Sequence, residues 1–179
     1  MGKSERPWTV PVVAEDIPET GGHYEISADA PARDGIACLA GIRAVSRLDA
    51  VFDLTRRGSG VQLTGHISAR VVQTCVVTLE PIENEVEEAV AVVFASPASA
   101  DARATPGKKR FKKDQEPPEP LVGGIVDLGA VATEFLILGL DPYPRKAGVE
   151  FAPPAAKDGG QHPFAALEAL KKRSRNDLK

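Results

Sequence analysis

The sequence predicts an α+β domain: a bent antiparallel β-sheet, open or partly closed into a barrel, packed against a mostly buried helix at about 127–140. Three observations carry this. Apolar and polar residues alternate through much of 45–95, the period of a strand with one buried face. Apolar residues recur at helical spacing from Leu128 to Leu140,. Between these blocks, Ser96 to Pro120 is rich in Ala, Ser, Pro and charge, the composition of a long mobile linker at about 96–120 and not of a core.

Taken in order, Trp8 to Ala14 and His23 to Ala28 supply two short strands. Pro31 to Ala40 fits a short helix, with Asp29 near its N-cap and Gly41 just past its end,. Leu48, Ala50, Phe52 and Leu54 alternate with polar neighbours, and Arg57-Gly58-Ser59-Gly60 supplies the hairpin residues that follow,. Alternation then runs from Val61 to Leu79. That is long for one strand, and a bend or bulge is expected near Gly65,. On this reading Cys75 lines up with Val71, Val77 and Leu79 as a small buried hydrophobe, and Thr78 falls on the opposite face,. A Glu80-Pro81 turn leads to a third strand marked by Val86, Val90, Val92 and Phe94.

After the linker, Asp127 is a good N-cap. Leu128, Val131, Phe135 and Leu138 share one helix face, and Leu136, Ile137 and Leu140 widen it. Pro142 stops the helix and Pro144 keeps its exit extended. Pro153, Pro154, Gly159 and Gly160 mark a flexible segment over 147–162. Phe164, Leu167 and Leu170 fit a short C-terminal helix at 163–173,. The whole of 1–179 reads as a single domain with these flexible segments.

Composition limits the function classes. The chain has 179 residues and a net charge of −3, which disfavours a nucleic-acid binder that uses its whole surface but leaves room for a local basic patch. No apolar run approaches a membrane span, and no signal-peptide pattern opens the chain,. The start, Met1-Gly2 with Arg6 at the sixth position, does not fit a myristoylation signal,. Two cysteines without a secretory signal read as reduced thiols, and the cytoplasm is the expected location,.

Catalytic patterns are weak. Cys38, Cys75, His23, His66 and His162 lie far apart without ligand spacing, so no metal site and no cofactor are expected,. There is no nucleophile elbow, phosphate loop or dinucleotide fingerprint,. The acidic group Glu83, Glu85, Glu87 and Glu88 reads as a solvated strand start that discourages edge pairing,. An enzyme is not expected, nor a small-molecule substrate or a membrane partner.

The basic stretches carry more weight. Lys108, Lys109, Arg110, Lys112 and Lys113 surround Phe111, joining phosphate-seeking charge to a ring that can stack on a base,. Asp114, Glu116 and Glu119 offset that charge, so a solvated linker is the competing reading. Lys171, Lys172 and Arg173 in the tail repeat the motif. Asp141 to Lys146, DPYPRK, places Tyr143 between two prolines and Arg145 and Lys146 directly after them. It fits either a rigid docking edge or a helix stop whose Tyr143 packs on the sheet.

Three stretches together resemble the YceD family: TGHISARVVQTCVVTLEPIENEVEE (Thr64–Glu88), VDLGAVATEFLILGLDPYPRK (Val126–Lys146) and HPFAALEAL (His162–Leu170). The resemblance spans about 40–175, and its flavour is that of alphaproteobacterial members. It implies a non-enzymatic role in ribosome biogenesis, supporting accumulation of large-subunit ribosomal RNA, with that RNA or a large-subunit ribosomal protein as partner. The alternative is a protein-binding adaptor without RNA contact. The resemblance brings no catalytic residues. Many members carry C-x-x-C where this chain has Cys75-Val76-Val77-Thr78, so Thr78 removes one thiolate from any zinc or redox role of that pair. The candidate RNA contacts are therefore Lys108–Lys113, Tyr143, Arg145, Lys146, Lys171, Lys172 and Arg173.

Overall fold

The structure is a computed structural model and describes residues 6–58, 60–95 and 118–151. The chain divides into two units, Met1–Val149 and Glu150–Lys179. Every element below belongs to the first. The elements are β1 (Pro11–Val13), β2 (Gly22–Ser27), α1 (Ala30–Ala40), β3 (Ala44–Arg57), β4 (Gly60–Thr74), β5 (Pro81–Ala95), β6 (Glu119–Pro120), β7 (Ile125–Asp127) and α2 (Leu128–Gly139). The expected C-terminal helix at 163–173 and most of the segments at 96–120 and 147–162 lie outside the described residues.

The fold is α+β, as the sequence predicts. The main sheet has the order β2-β3-β4-β5-β6 and is open, with no closed barrel among the described residues. It is mixed, because β6 pairs in parallel with the end of β5. The last two residues of the expected linker, Glu119 and Pro120, are thus part of the sheet. A separate two-stranded sheet joins β1 to β7, a pairing that neither short segment announces on its own.

The predicted meander is present. Antiparallel β3 and β4 pair from Ala44↔Val72 to Arg57↔Gly60, and β4 and β5 from Val61↔Phe94 to Thr74↔Pro81. The irregularity expected near Gly65 falls elsewhere: the register shifts between Val45 and Arg47, while Gly65 sits in register opposite Phe52. Gly65 is instead a point of close approach. A Cβ there would land on the Val51 carbonyl oxygen and the Phe52 ring.

The helices cover one sheet face. Helix α1 starts where the Asp29 carboxylate accepts the Ala32 N–H at 2.9 Å, and it ends at Gly41 in the left-handed region, φ +66°. Its Ile36 joins Phe52, Leu54, Leu63, Ile67 and Val71 in the core. Burying each such side chain stabilises the fold by about 2 kcal/mol relative to exposure. From α2 the core takes Leu128, Val131, Ala132 and Leu136. The predicted face is therefore rotated: Leu138, expected inside, is 71% exposed. Asp127 ties this helix to the N-terminal segment. Its carboxylate accepts the Ala130 N–H as N-cap and the Val10 N–H at 2.9 Å, and it pairs with Arg6 at 3.2 Å.

Candidate docking surface at the β4–β5 turn

The strand reading of QTCVVTLEP stops early. Strand β4 ends at Thr74 and β5 begins at Pro81, so Cys75 to Glu80 form a connecting turn. The Cys75 N–H donates to the Glu80 carbonyl and the Leu79 N–H to the Cys75 carbonyl, both at 2.9 Å. Leu79 adopts φ +62°, in the left-handed region, and its side chain is 70% exposed. A branched side chain there carries a backbone cost of about 1 kcal/mol. The core position expected for Leu79 is thus wrong, because the turn ends the alternation five residues before it.

The turn leaves Cys75 buried, as expected, but changes its surroundings and reverses the placement of Thr78. Cys75 is fully buried, yet it stands outside the main hydrophobic cluster. Its sulfur accepts the Thr78 N–H at 3.5 Å and the Lys146 N–H at 3.4 Å. A strand would place Thr78 on the far face; the turn brings it back to the sulfur. Bonds from Thr78, side chain first and then backbone, and from the Lys146 N–H hold the Cys75 thiol down to about 6, against the opposing effect of burial,. Cys75 is therefore a hydrogen-bonded hub and not simply a small hydrophobe.

The DPYPRK segment is fastened to this turn. The Val76 N–H donates to the Pro144 carbonyl at 2.9 Å. The Lys146 ammonium donates to Glu80 Oε2 at 2.8 Å. That contact lowers the Glu80 pKa and raises that of Lys146. From the sheet, the buried Gln73 side chain donates to the Asp141 carbonyl at 2.9 Å and accepts from Asn84 Nδ2 at 2.9 Å. Alternation alone does not reveal this bridge; its signal in the sequence is that Gln73 is the one strongly polar residue on the apolar face of its strand, and a buried amide demands partners,.

The outcome is a stapled platform. Pro144 is buried beneath it. Tyr143, whose N–H donates to Asp141 Oδ1 at 2.8 Å, holds its ring 70% exposed. The ring does not pack on the sheet. Val76, Leu79 and Arg145 are also exposed, and Arg145 makes no ion pair among the described residues. Of the other candidate contacts, Lys108, Lys109, Arg110, Phe111, Lys112, Lys113, Lys171, Lys172 and Arg173 lie outside the described residues.

Charge is divided unevenly. The described residues hold 9 Lys or Arg against 18 Asp or Glu, a net −9, whereas the whole chain is −3. An apolar groove of about 350 Å³ lies elsewhere, lined by Trp8, Leu39, Ile137 and Leu138 with Arg6 and Glu134 at its walls. Among the described residues no three or more His, Cys, Asp or Glu side chains gather as metal ligands, and no helix is long and apolar enough to cross a membrane.

The family model described as large ribosomal RNA subunit accumulation protein YceD matches residues 63–171, more than half the chain. The match includes the β4–β5 turn and the Asp141–Lys146 segment. No curated protein and no solved structure matches.

Proposed function

The chain belongs to the YceD family, and we propose that it supports accumulation of large-subunit ribosomal RNA as a non-catalytic binding factor that touches its target through the Tyr143 platform. The observation that carries this reading is an exposed tyrosine two residues before an exposed arginine, on a segment fixed at Pro144 and Lys146. A ring held this way stacks with little ordering cost, and each base stacked contributes about 1–3 kcal/mol. The basic residues at Lys108–Lys113 and Lys171–Arg173 would add salt-dependent phosphate contacts.

The test is co-sedimentation of the full chain with large-subunit precursor particles, with and without nuclease. Tyr143→Ala is expected to weaken association by about tenfold, corresponding to one lost stack, with the melting temperature unchanged. Unaltered association in both Tyr143→Ala and Arg145→Ala would refute the platform contact.

A second reading is favoured by one observation. The described residues are strongly acidic, so they repel a polyanion and suit a basic protein,. As an adaptor holding a large-subunit ribosomal protein, the chain would keep its partner after nuclease treatment.

A further inference from the structure

Strand β5 is paired with β4 along its length, but its other edge meets β6 only at Phe94 and Ala95. Two contacts fix the direction of its backbone groups. The Phe94 carbonyl faces Gly60 on β4. The Ala95 carbonyl accepts the Leu121 N–H at 2.8 Å on the opposite side. Directions alternate along a strand, and the β4–β5 register runs without a shift from Pro81 to Phe94. Even-numbered residues therefore bond to β4. Glu83, Glu85, Glu87, Ala89, Ala91 and Val93 turn their N–H and C=O groups to the open edge, and all six are exposed. Among the described residues no backbone group outside the sheet bonds to them.

We propose that this edge receives an extended, Lys- and Arg-rich peptide of a protein partner by strand addition. An open row of alternating donors and acceptors is a template for a further strand, and β6 already begins that addition at one end. Charge selects the occupant. The three glutamates form a row at every second position, and the cation bonded to them is Arg70, at 2.9 Å from Glu85 and 3.5 Å from Glu83. Glu87 lies opposite Ser68 and makes no ion pair among the described residues. An added strand sets alternate side chains beside that row, so cations two residues apart match it. Ala89, Ala91 and Val93 continue the edge as a low apolar stretch that accepts β-branched residues. RNA would meet the same negative row, and a second copy of β5 brings no cation to neutralise it. This edge is separate from the Tyr143 platform and stands if that contact fails.

The probe is a labelled 11-residue peptide alternating Lys with Thr or Val, titrated against the full chain by fluorescence anisotropy. A sibling carries N-methyl groups on the nitrogens that would face β5. The parent is expected to bind with shifts of the Glu83–Val93 amides in NMR, and the sibling to bind at least about tenfold more weakly, because several backbone bonds are lost. Joint Glu83→Gln, Glu85→Gln and Glu87→Gln replacement should weaken the parent by about tenfold at low salt. Ala89→Pro removes an edge-facing N–H and no bond to β4, and should weaken it as well. Equal binding of parent and sibling would overturn the proposal. So would an RNA oligomer that shifts the same amides, or a dimer of the chain that the peptide dissociates.

Discussion

The two connections of the β3–β4–β5 meander are built on opposite plans. At Arg57–Gly60 the strands turn by local means: Arg57 pairs with Gly60, and Gly58 supplies φ +63° with nothing within 4 Å of where a Cβ would stand. At Cys75–Glu80 the connection depends on a segment about 70 residues away, through Pro144, Lys146 and the Cys75 sulfur. A turn closed by the pairing of its own flanking strands needs no distant partner. A turn closed by a distant segment can hold Leu79 and Tyr143 outward, because other contacts absorb the cost.

The comparison can be broken from either side. The largest effect is expected in the strands that the local turn joins. Gly65→Ala should lose about 2–4 kcal/mol in urea unfolding, since Val51 carbonyl and Phe52 ring cannot both move aside,. A loss under about 1 kcal/mol would mean that the β3–β4 pair relaxes easily. Next is Gln73→Ala, which strands the Asp141 carbonyl and the Asn84 amide. It should cost about 2 kcal/mol and speed hydrogen exchange at the Val76 N–H, while exchange in β3 stays slow.

Cys75→Ala sharpens the contrast through pH. A thiol whose folded pKa is depressed contributes stability that is complete above its unfolded pKa and lost as pH falls through the folded one. Cys75 sits at about 6 when folded, and an unfolded thiol titrates at about 8.5. The native chain should therefore lose stability between about pH 9 and about pH 6, measured as melting temperature, by more than the alanine variant does. Parallel profiles would deny the sulfur its role.

Smaller effects belong to the turn residues themselves. Gly58→Ala should cost about 1 kcal/mol, from backbone conformation alone,. Leu79→Gly should change unfolding stability by no more than about 0.5 kcal/mol, because relief of the left-handed backbone offsets the added freedom of the unfolded chain,. If Leu79 helps form the platform, the same variant weakens association with precursor particles.

These residues also mark how far the sequence could be read. Alternation placed Phe52, Leu63, Ile67 and Val71 in the core, because a strand with one dry face writes its burial into every second residue. Asp29, Gly41 and Asp127 were legible as caps, because a cap is a local hydrogen bond or a local φ,. The α2 pattern was too apolar to orient: with hydrophobic residues nearly all round, only packing against β4 and β5 decided that Leu136 goes in and Leu138 stays out. The platform's residues were visible in DPYPRK, but its exposed ring was one of two readings. The β5 edge was legible only in part: the glutamates read as a strand start that discourages edge pairing, but the sequence does not say which strand is left without a neighbour along most of its length among the described residues.

By itself, then, the sequence determined the meander, the caps and the YceD resemblance, all of which rest on short-range periodicity, local backbone chemistry or ordered motifs. Tertiary structure alone decided that Cys75 is an acceptor hub, that Thr78 returns to it, that Tyr143 faces water and that, among the described residues, β5 keeps an open edge. Each of those depends on which distant segment arrives. Alternation records which face of a strand is buried, and carries no record of what waits at its end or along its side.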